Sequence, residues 1–342
     1  MTNSIEQRKS EHIQISLTEQ VTGECISTGL ASYRFIHNAL PELAFEEISI
    51  ETSFLNATCA TPFLISSMTG GTAFAETINR NLALAAEEQG WMLALGSTRA
   101  LLDNDSHADS FLMRKYAPNI PIIANLGAVQ LNYGYGVREC RKILKMTGAN
   151  MLVLHLNSLQ EVIQPNGDTN FSGLLKKIGQ LCEALDVPIG VKEVGWGIDG
   201  VTAKKLQKVG VAFIDVAGAG GTSWSQVEKF RTENPVKRAA ADAFSDWGIP
   251  TTEAVQLVRK EHRYHPLIAS GGIHSGVDSA KMIALGADLV GIGRSILKAA
   301  TESPEAVVEA MKIREMELRM TMFGIGVGSI QALKGTDRLE RI

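Results

Sequence analysis

Cysteine is scarce in this sequence of 342 residues, and long apolar runs are absent from it. The four cysteines, Cys25, Cys59, Cys140 and Cys182, form no CxxC pair, which argues against a zinc site or a disulfide framework. No apolar stretch approaches the ~20 residues that a membrane helix needs. The polar N-terminus also lacks the apolar segment of a signal peptide. These absences favour a cytoplasmic protein that does not enter membranes.

A strong charge of one sign is also missing. The formal net charge is −4, so no overall positive field attracts nucleic acid or a membrane surface. An anionic small-molecule substrate would therefore need local positive groups. The length is greater than that of an ordinary domain but is normal for a barrel with extensions.

Eight short apolar runs recur along the chain and predict the strands of a parallel sheet. Each run is bounded by glycine, proline or polar residues, and amphipathic segments lie between the runs. Eight such units favour a closed (β/α)8 TIM barrel of the α/β class over an open sheet. The predicted strands are residues 62–66 (PFLIS), 91–95 (WMLAL), 121–125 (PIIAN), 151–156 (MLVLHL), 188–192 (PIGVK), 212–216 (AFIDV), 266–270 (PLIAS) and 288–292 (DLVGI).

The segments outside these eight strand-and-helix units are predicted to be additions to a single domain of residues 1–342. Residues 1–60 form an N-terminal extension, residues 61–300 the barrel, and residues 301–342 a C-terminal helix and tail. A further segment, residues 223–250, is inserted between the sixth strand and its helix. Extensions of this length commonly cap a barrel or form subunit contacts.

The ends of the predicted strands are polar or rich in glycine. In a TIM barrel the chemistry lies at the C-terminal ends of the strands. The runs Gly271-Gly272-Ile273 and Gly293-Arg294 follow strands 7 and 8 and resemble the phosphate grip of flavin-dependent barrels. Their glycines let backbone N–H groups approach a phosphate at a helix N-terminus. Phosphorylated sugars use the same kind of site, so a non-flavin phosphosugar enzyme or a non-catalytic phosphate-binding barrel stays open.

Other strand ends favour a flavin. Met68 and Thr69 after strand 1, Ser97 after strand 2 and Asn125 after strand 3 could lie along an isoalloxazine ring. Lys192 ends strand 5, and a cation there would stabilise a reduced flavin. No GxGxxG opens a βαβ unit, which argues against a Rossmann nicotinamide domain.

One flavin chemistry is an FMN-dependent hydroxy-acid oxidoreductase of the glycolate oxidase type. That group resembles this chain in its phosphate grip, but it carries a histidine base in a His-Gly-Gly-Arg-like run after strand 6. Residues 216–222 here read VAGAGGT and contain neither histidine nor arginine. The oxidoreductase is therefore kept as the alternative.

Further motifs occur in order between about residue 8 and residue 300. They are Arg8-Lys9-Ser10-Glu11-His12, Asn38-Ala39-Leu40-Pro41-Glu42, Met68-Thr69-Gly70-Gly71, Gly96-Ser97-Thr98-Arg99, His155-Leu156-Asn157 with Gln160-Glu161, and Gly220-Gly221-Thr222-Ser223-Trp224 with Glu228. Together they resemble the type 2 (FMN-dependent) isopentenyl diphosphate delta-isomerases. The resemblance implies interconversion of isopentenyl and dimethylallyl diphosphate, with reduced FMN as acid/base cofactor, NADPH as reductant, Mg²⁺, and no net redox change. It also implies a homo-oligomer of four or eight subunits.

The resemblance assigns roles to individual residues. Gln160, Lys192 and Glu228 would be catalytic, and Glu161 would bind the metal. Ala217 departs from the family, where many members have serine. The substrate would be held by Arg8, Lys9, Ser97, Thr98, Arg99, His155, Asn157 and Gln160. The cofactor would be held by Ser67, Met68, Thr69, Ser97, Asn125, Lys192, Ala217, Thr222, Gly271, Gly272, Ile273, Gly293 and Arg294.

Overall fold

Eight parallel strands close into a barrel, as the sequence predicts. The computed structural model describes residues 5–55, 57–103 and 105–342. The barrel strands run in the order β10-β11-β4-β5-β6-β7-β8-β9, and each pair is parallel. The strands are β1 (Tyr33–Phe35), β2 (Thr52–Phe54), β3 (Ala57–Cys59), β4 (Phe63–Ile65), β5 (Met92–Ala94), β6 (Ile122–Gly127), β7 (Met151–His155), β8 (Ile189–Lys192), β9 (Phe213–Asp215), β10 (Leu267–Ser270), β11 (Leu289–Ile292) and β12 (Leu339–Arg341).

Every barrel strand falls within, or overlaps, one of the predicted apolar runs. The barrel strands are buried on both faces, which is why they read as continuous apolar runs rather than as alternating patterns. Inward-facing side chains such as Leu64, Met92 and Phe213 fill the barrel interior. Phe54 from the β2–β3 hairpin packs edge-to-face on Phe213, with ring centroids 5.6 Å apart. This contact lies where β9 begins, so the hairpin closes the N-terminal end of the barrel.

The helices pack their apolar faces on the outside of the barrel. Many begin at a residue whose side chain accepts a backbone hydrogen bond, such as Thr72 before α2 and Ser275 before α11. The α-helices are α1 (Ile5–Thr18), α2 (Ala73–Gln89), α3 (Arg99–Asp103), α4 (Val137–Thr147), α5 (Ser158–Ile163), α6 (Leu174–Ala184), α7 (Gly200–Lys208), α8 (Trp224–Arg231), α9 (Pro235–Asp242), α10 (Thr251–Glu261), α11 (Gly276–Ala284), α12 (Arg294–Glu302), α13 (Pro304–Ile325) and α14 (Ile330–Lys334). No helix among the described residues is long and apolar enough to cross a membrane.

The segments outside the barrel form further helices, and the C-terminal helix that the sequence predicts is among them. The insertion forms α8 and α9, and the tail forms the long helix α13, which packs on α2, α11 and α12. Strands β1 and β12 pair as an antiparallel ribbon that joins the N-terminal extension to the C-terminal tail, and no sequence pattern predicts this pairing. Helix α1 lies against α8 and α12, next to the C-terminal ends of the barrel strands.

Candidate active site

A cavity of about 240 Å³ lies at the C-terminal ends of the barrel strands. All but two of the residues that the sequence predicts for the site line it. The exceptions are Thr98 and Glu228, which are fully buried behind the cavity wall. The predicted residues that line the cavity are Arg8, Lys9, Ser67, Met68, Thr69, Ser97, Arg99, Asn125, His155, Asn157, Gln160, Glu161, Lys192, Ala217, Thr222, Gly271, Gly272, Ile273, Gly293 and Arg294.

One side of the cavity is a glycine-rich cradle, formed by residues 66–69, 270–273 and 291–295. Helix α12 begins at Arg294, directly after Gly293, so its N-terminus faces the cradle. Five buried polar atoms of the cradle have no hydrogen-bond partner in the described part of the chain. They are Ser66 Oγ, Ser67 Oγ, Thr69 Oγ1, Arg294 Nη1 and Ser295 Oγ. Unpartnered buried polar groups are costly, so this set favours a polar ligand with an anionic group.

Glycine is required in the cradle because other backbone lies against it. A Cβ on Gly271 would come within 2.2 Å of Gly218 O, and one on Gly272 within 2.6 Å of Gly220 O. Both residues also have positive φ, at +107° and +69°. The bare backbone of these residues therefore forms the cavity wall, where its N–H groups can meet a phosphate.

The opposite side is a polar network, formed by His12, Asn157, Gln160, Glu161, Asp168, Glu228 and Arg231. At its centre the Glu228 carboxylate accepts hydrogen bonds from His12 Nε2 (2.9 Å), Gln160 Nε2 (3.0 Å) and Arg231 Nη1 (2.5 Å). Burial alone would raise the pKa of Glu228, but His12, Arg231 and Gln160 overcome it and lower the pKa to about 2. Glu228 is therefore ionised and has no proton to give.

Glu161 lies in the same network and lines the cavity. Its carboxylate accepts hydrogen bonds from Asn157 Nδ2 (2.8 Å), the backbone N–H of Asp168 (2.7 Å) and Gln164 Nε2 (3.2 Å). Burial raises the pKa of Glu161, and the hydrogen bonds from Asp168 and Asn157 oppose that rise. A carboxylate held in this way has a fixed direction and free lone pairs, which suits a hard cation.

The side chain of Asp168 orients two neighbours in the cavity wall. Its Oδ2 accepts a hydrogen bond from Arg99 Nη1 (2.7 Å) and another from Gln130 Nε2 (3.1 Å). The bond to Asp168 fixes the guanidinium of Arg99 in the cavity wall. The sequence predicts Arg99 as a phosphate ligand, and the structure places it in reach of the cavity.

His155, at the end of β7, is paired with Asn125 at the end of the neighbouring strand. The distance from His155 Nδ1 to Asn125 Oδ1 is 2.9 Å. Burial and the charges of Lys192, Lys9 and Arg8 lower the pKa of His155 to about 3. The imidazole is therefore neutral at neutral pH.

Two basic residues of α1, Arg8 and Lys9, extend into the cavity. Burial lowers the pKa of Arg8, although Glu228 and Glu161 oppose the shift. Burial and the charge of Arg8 lower the pKa of Lys9 to about 7. Arg8 Nε is buried and has no hydrogen-bond partner within residues 5–55, 57–103 and 105–342. Positive groups gathered in this way match an anion with several charges.

Several residues of the site were not predicted from the sequence. The sequence marks His12 only as part of a motif, without a role. In the structure its ring packs edge-to-face on Trp224, with ring centroids 5.1 Å apart. Ser66 and Ser295 lie next to predicted cradle residues. Their position near the ends of strands is the feature from which they could have been predicted. Gln130 and Asp168 lie on connections that carry no pattern in a single sequence.

Comparisons with known proteins agree with this geometry. A model of the FMN-dependent dehydrogenase family matches residues 136–340. The isopentenyl-diphosphate delta-isomerase of Oceanobacillus iheyensis is 56% identical over 340 residues, covering 99% of this chain and 97% of that protein. The protein of the same name from a Nostoc species is 47% identical over 335 residues, covering 98% and 96%.

Solved structures show the same fold at much lower identity. The flavin-binding domain of baker's yeast flavocytochrome b2 has a TM-score of 0.68 and 19% identity, covering 92% of this chain and 77% of that chain. A mutant (S)-mandelate dehydrogenase has a TM-score of 0.70 and 16% identity, covering 100% of this chain and 100% of that chain. At such identities the likeness concerns the barrel fold alone.

Proposed function

We propose that this chain, which belongs to the isopentenyl-diphosphate delta-isomerases, interconverts isopentenyl diphosphate and dimethylallyl diphosphate. The reaction would use reduced FMN and Mg²⁺, with no net redox change. The observation that carries the proposal is one cavity with two unlike sides, a glycine-rich cradle and a polar network below two cations of α1. The first suits a resident phosphate-bearing cofactor, and the second suits a substrate with a diphosphate.

The cradle fits FMN by its unpartnered atoms and its exposed backbone. Backbone N–H groups of Gly272 and Gly293, with Arg294 and the N-terminus of α12, would hold the phosphate. Thr69, Ser97 and Asn125 would contact the ring, and Lys192 would place a positive charge beside it. When bound and reduced, FMN would supply the acid–base chemistry that the alkene needs, since an ordinary carboxylic acid protonates an alkene poorly.

The residues above the polar network would bind the diphosphate. Arg8, Lys9 and Arg99 bring positive charge, and Glu161 would hold Mg²⁺ against the phosphate oxygens. Substrate binding would also raise the pKa of His155, which would then donate from Nε2. The negative charge of the substrate would thus offset the positive charge of these buried groups.

Gln160 is the network residue best placed to face the reacting carbons. Its Nε2 is fixed by Glu228, so the amide cannot turn freely. We assign Glu228 to positioning rather than to proton donation, because both of its oxygens accept hydrogen bonds and its pKa is about 2. Helix α1 and Trp224 would exclude water from the alkene.

Several finer features belong to the same proposal. NADPH would reduce the cofactor, and the chain would act as a single domain within a homo-oligomer of four or eight copies. The cytoplasm is the proposed compartment, where the four free cysteines would stay reduced.

The test is the assay of purified protein under anaerobic conditions. Oxidised protein should show the visible absorption of bound flavin, and turnover of isopentenyl diphosphate should require prior reduction and Mg²⁺. Gln160→Ala should lower kcat by about 10²- to 10⁴-fold, as loss of an acid–base group does, without changing bound FMN. Glu161→Ala should instead remove the response to Mg²⁺, and Lys192→Ala should weaken the retention of reduced flavin.

Three results would oppose the proposal. A protein that binds no FMN after reconstitution would favour a phosphosugar enzyme or a non-catalytic barrel. Stoichiometric oxidation of a hydroxy acid would favour the oxidoreductase of the glycolate oxidase type. Turnover that consumes one NADPH for each product would contradict an isomerisation.

A further inference from the structure

Two buried amide oxygens in the cavity have no hydrogen-bond partner among the described residues. They are Asn157 Oδ1 and Gln130 Oε1, and each side chain is only 3% exposed. Both residues line the cavity. A buried acceptor without a donor loses its hydration on folding and gains nothing in return, at a cost comparable to a lost hydrogen bond.

The orientation of each amide is fixed by a carboxylate. Asn157 Nδ2 donates to Glu161 Oε1 at 2.8 Å and to Gln160 Oε1 at 3.2 Å. Gln130 Nε2 donates to Asp168 Oδ2 at 3.1 Å. Rotating either amide by half a turn would point its oxygen at a carboxylate oxygen, which is repulsive. Each oxygen is therefore the end of the amide that remains free for a ligand.

A diphosphate cannot satisfy these oxygens, because phosphate oxygens at neutral pH are acceptors too. The partner must be a donor or a cation, and it must sit where an anion also binds. Amide and carboxylate oxygens are the ligands that a hard divalent cation takes from proteins, together with phosphate oxygens and water. No cluster of three His, Cys, Asp or Glu side chains exists in the described ranges that could hold a metal without such help.

We propose that Asn157 and Gln130 give their amide oxygens to the divalent cation that Glu161 binds with the diphosphate. This inference rests on the proposed function and reverses the expected role of Asn157, from phosphate donor to cation ligand. Asp168 is the positioning residue of the set: its side chain turns the amide of Gln130, and its backbone N–H holds Glu161. Asp168 thereby aligns ligands that come from two neighbouring connections of the barrel, the one after β6 and the one after β7.

The test measures binding of Mn²⁺ to the FMN-loaded protein by electron paramagnetic resonance, with inorganic pyrophosphate present. Gln130→Met and Asn157→Ala should each raise the Kd of Mn²⁺ about tenfold or more, because each variant removes an oxygen that binds the cation directly. Asp168→Asn should raise it as well, since the amide of Gln130 is then free to turn. Pyrophosphate binding measured in chelator without metal should stay unchanged in Gln130→Met.

Gln164→Met is the matched control. Gln164 also lines the cavity and also donates to Glu161, at 3.2 Å, but no buried oxygen of its side chain is left without a partner. Its substitution should change the Kd of Mn²⁺ much less than Gln130→Met does.

The outcomes separate this inference from the proposed function. Equal Mn²⁺ affinity in wild type and Gln130→Met would overturn the inference, as would a loss of pyrophosphate binding that is the same with and without metal. The readout needs no isomerase activity, so an inactive wild type would count against the proposed function alone. If Asn157→Ala fails to fold, Gln130→Met and Asp168→Asn still decide the question.

Discussion

The two sides of the cavity hold their ligand-binding groups in position by different means. The glycine-rich cradle is made of backbone and short hydroxyls, many of them without partners until a ligand arrives. The polar network is made of long side chains that hold one another, with Glu228 and Glu161 each accepting three hydrogen bonds. A resident cofactor can rely on rigid main chain, whereas a substrate that comes and goes needs side chains that stay ordered without it.

The largest expected effect comes from breaking the centre of the polar network. Glu228→Gln leaves the buried Arg231 with only the more exposed Glu11 as an ion-pair partner, so the free energy of unfolding should fall by about 3–5 kcal/mol. Chemical denaturation checks this value, and FMN affinity should stay near that of wild type. Glu11→Gln, which removes the more exposed partner of Arg231 at 2.9 Å, should cost clearly less. Equal losses in the two variants would contradict the central role of Glu228.

A smaller effect is expected from filling the cradle. Gly272→Ala puts a Cβ 2.5 Å from Thr28 Cγ2 at a φ of +69°. The backbone of the cradle should shift to relieve about 3 kcal/mol of crowding and strain, and restoring it around FMN should cost roughly a hundredfold in affinity. Quenching of FMN fluorescence measures the affinity. Gly136→Ala is the control, since its Cβ would meet nothing closer than 3.8 Å. If Gly272→Ala binds FMN as wild type does, the cradle does not depend on bare backbone.

The next prediction concerns the stability of the folded protein at acidic pH. The pKa of His155 in the folded protein, about 3, lies below its ordinary value of 6.5, so between these values only the unfolded chain is protonated. The contribution of the neutral His155 to the free energy of unfolding is complete above pH 6.5 and is lost as the pH falls toward 3. His155→Gln should therefore reduce the slope of unfolding free energy against pH by about 1 kcal/mol per pH unit between pH 6 and pH 5.

The acid experiment has a clear window and control. Glu228, with its pKa lowered to about 2, begins to lose its contribution only below its ordinary value of 4.5, so it does not disturb measurements above pH 5. The same substitution at the exposed His37 should leave the slope as it is in wild type. An unchanged slope in His155→Gln would show that His155 is not held neutral.

The smallest effect is expected at Ser158, which begins α5 between Asn157 and Gln160 but is exposed. Ser158→Ala should change the free energy of unfolding by less than about 0.5 kcal/mol, in line with other surface substitutions. Steady-state kinetics should give kcat and KM close to those of wild type. A large loss of activity would mean that the network extends to this outer face of α5.

The sequence was sufficient for the barrel because every strand leaves a local mark. An apolar run such as residues 121–125 is visible without any knowledge of its neighbours. The β1–β12 ribbon could not be predicted, since its strands are only three residues long and pair across nearly the whole chain. Positions at strand ends were predictable for the same reason as the strands. The orientation of the side chains was not predictable: the amide nitrogen of Asn157 is directed to Glu161 and that of Gln130 to Asp168, and neither contact can be read from a single sequence.

The ribbon also has a consequence for how α1 holds the cations Arg8 and Lys9 above the cavity. Beyond α1 the chain is fastened to the barrel at Thr22, which bridges to Thr222, and then at Tyr33–Phe35 by the pairing with β12. Any release and return of α1 is therefore an intramolecular event with an effective concentration in the millimolar range or above. Contacts that would be far too weak between separate molecules suffice to keep α1 in place, so the helix can meet a substrate without binding the barrel tightly.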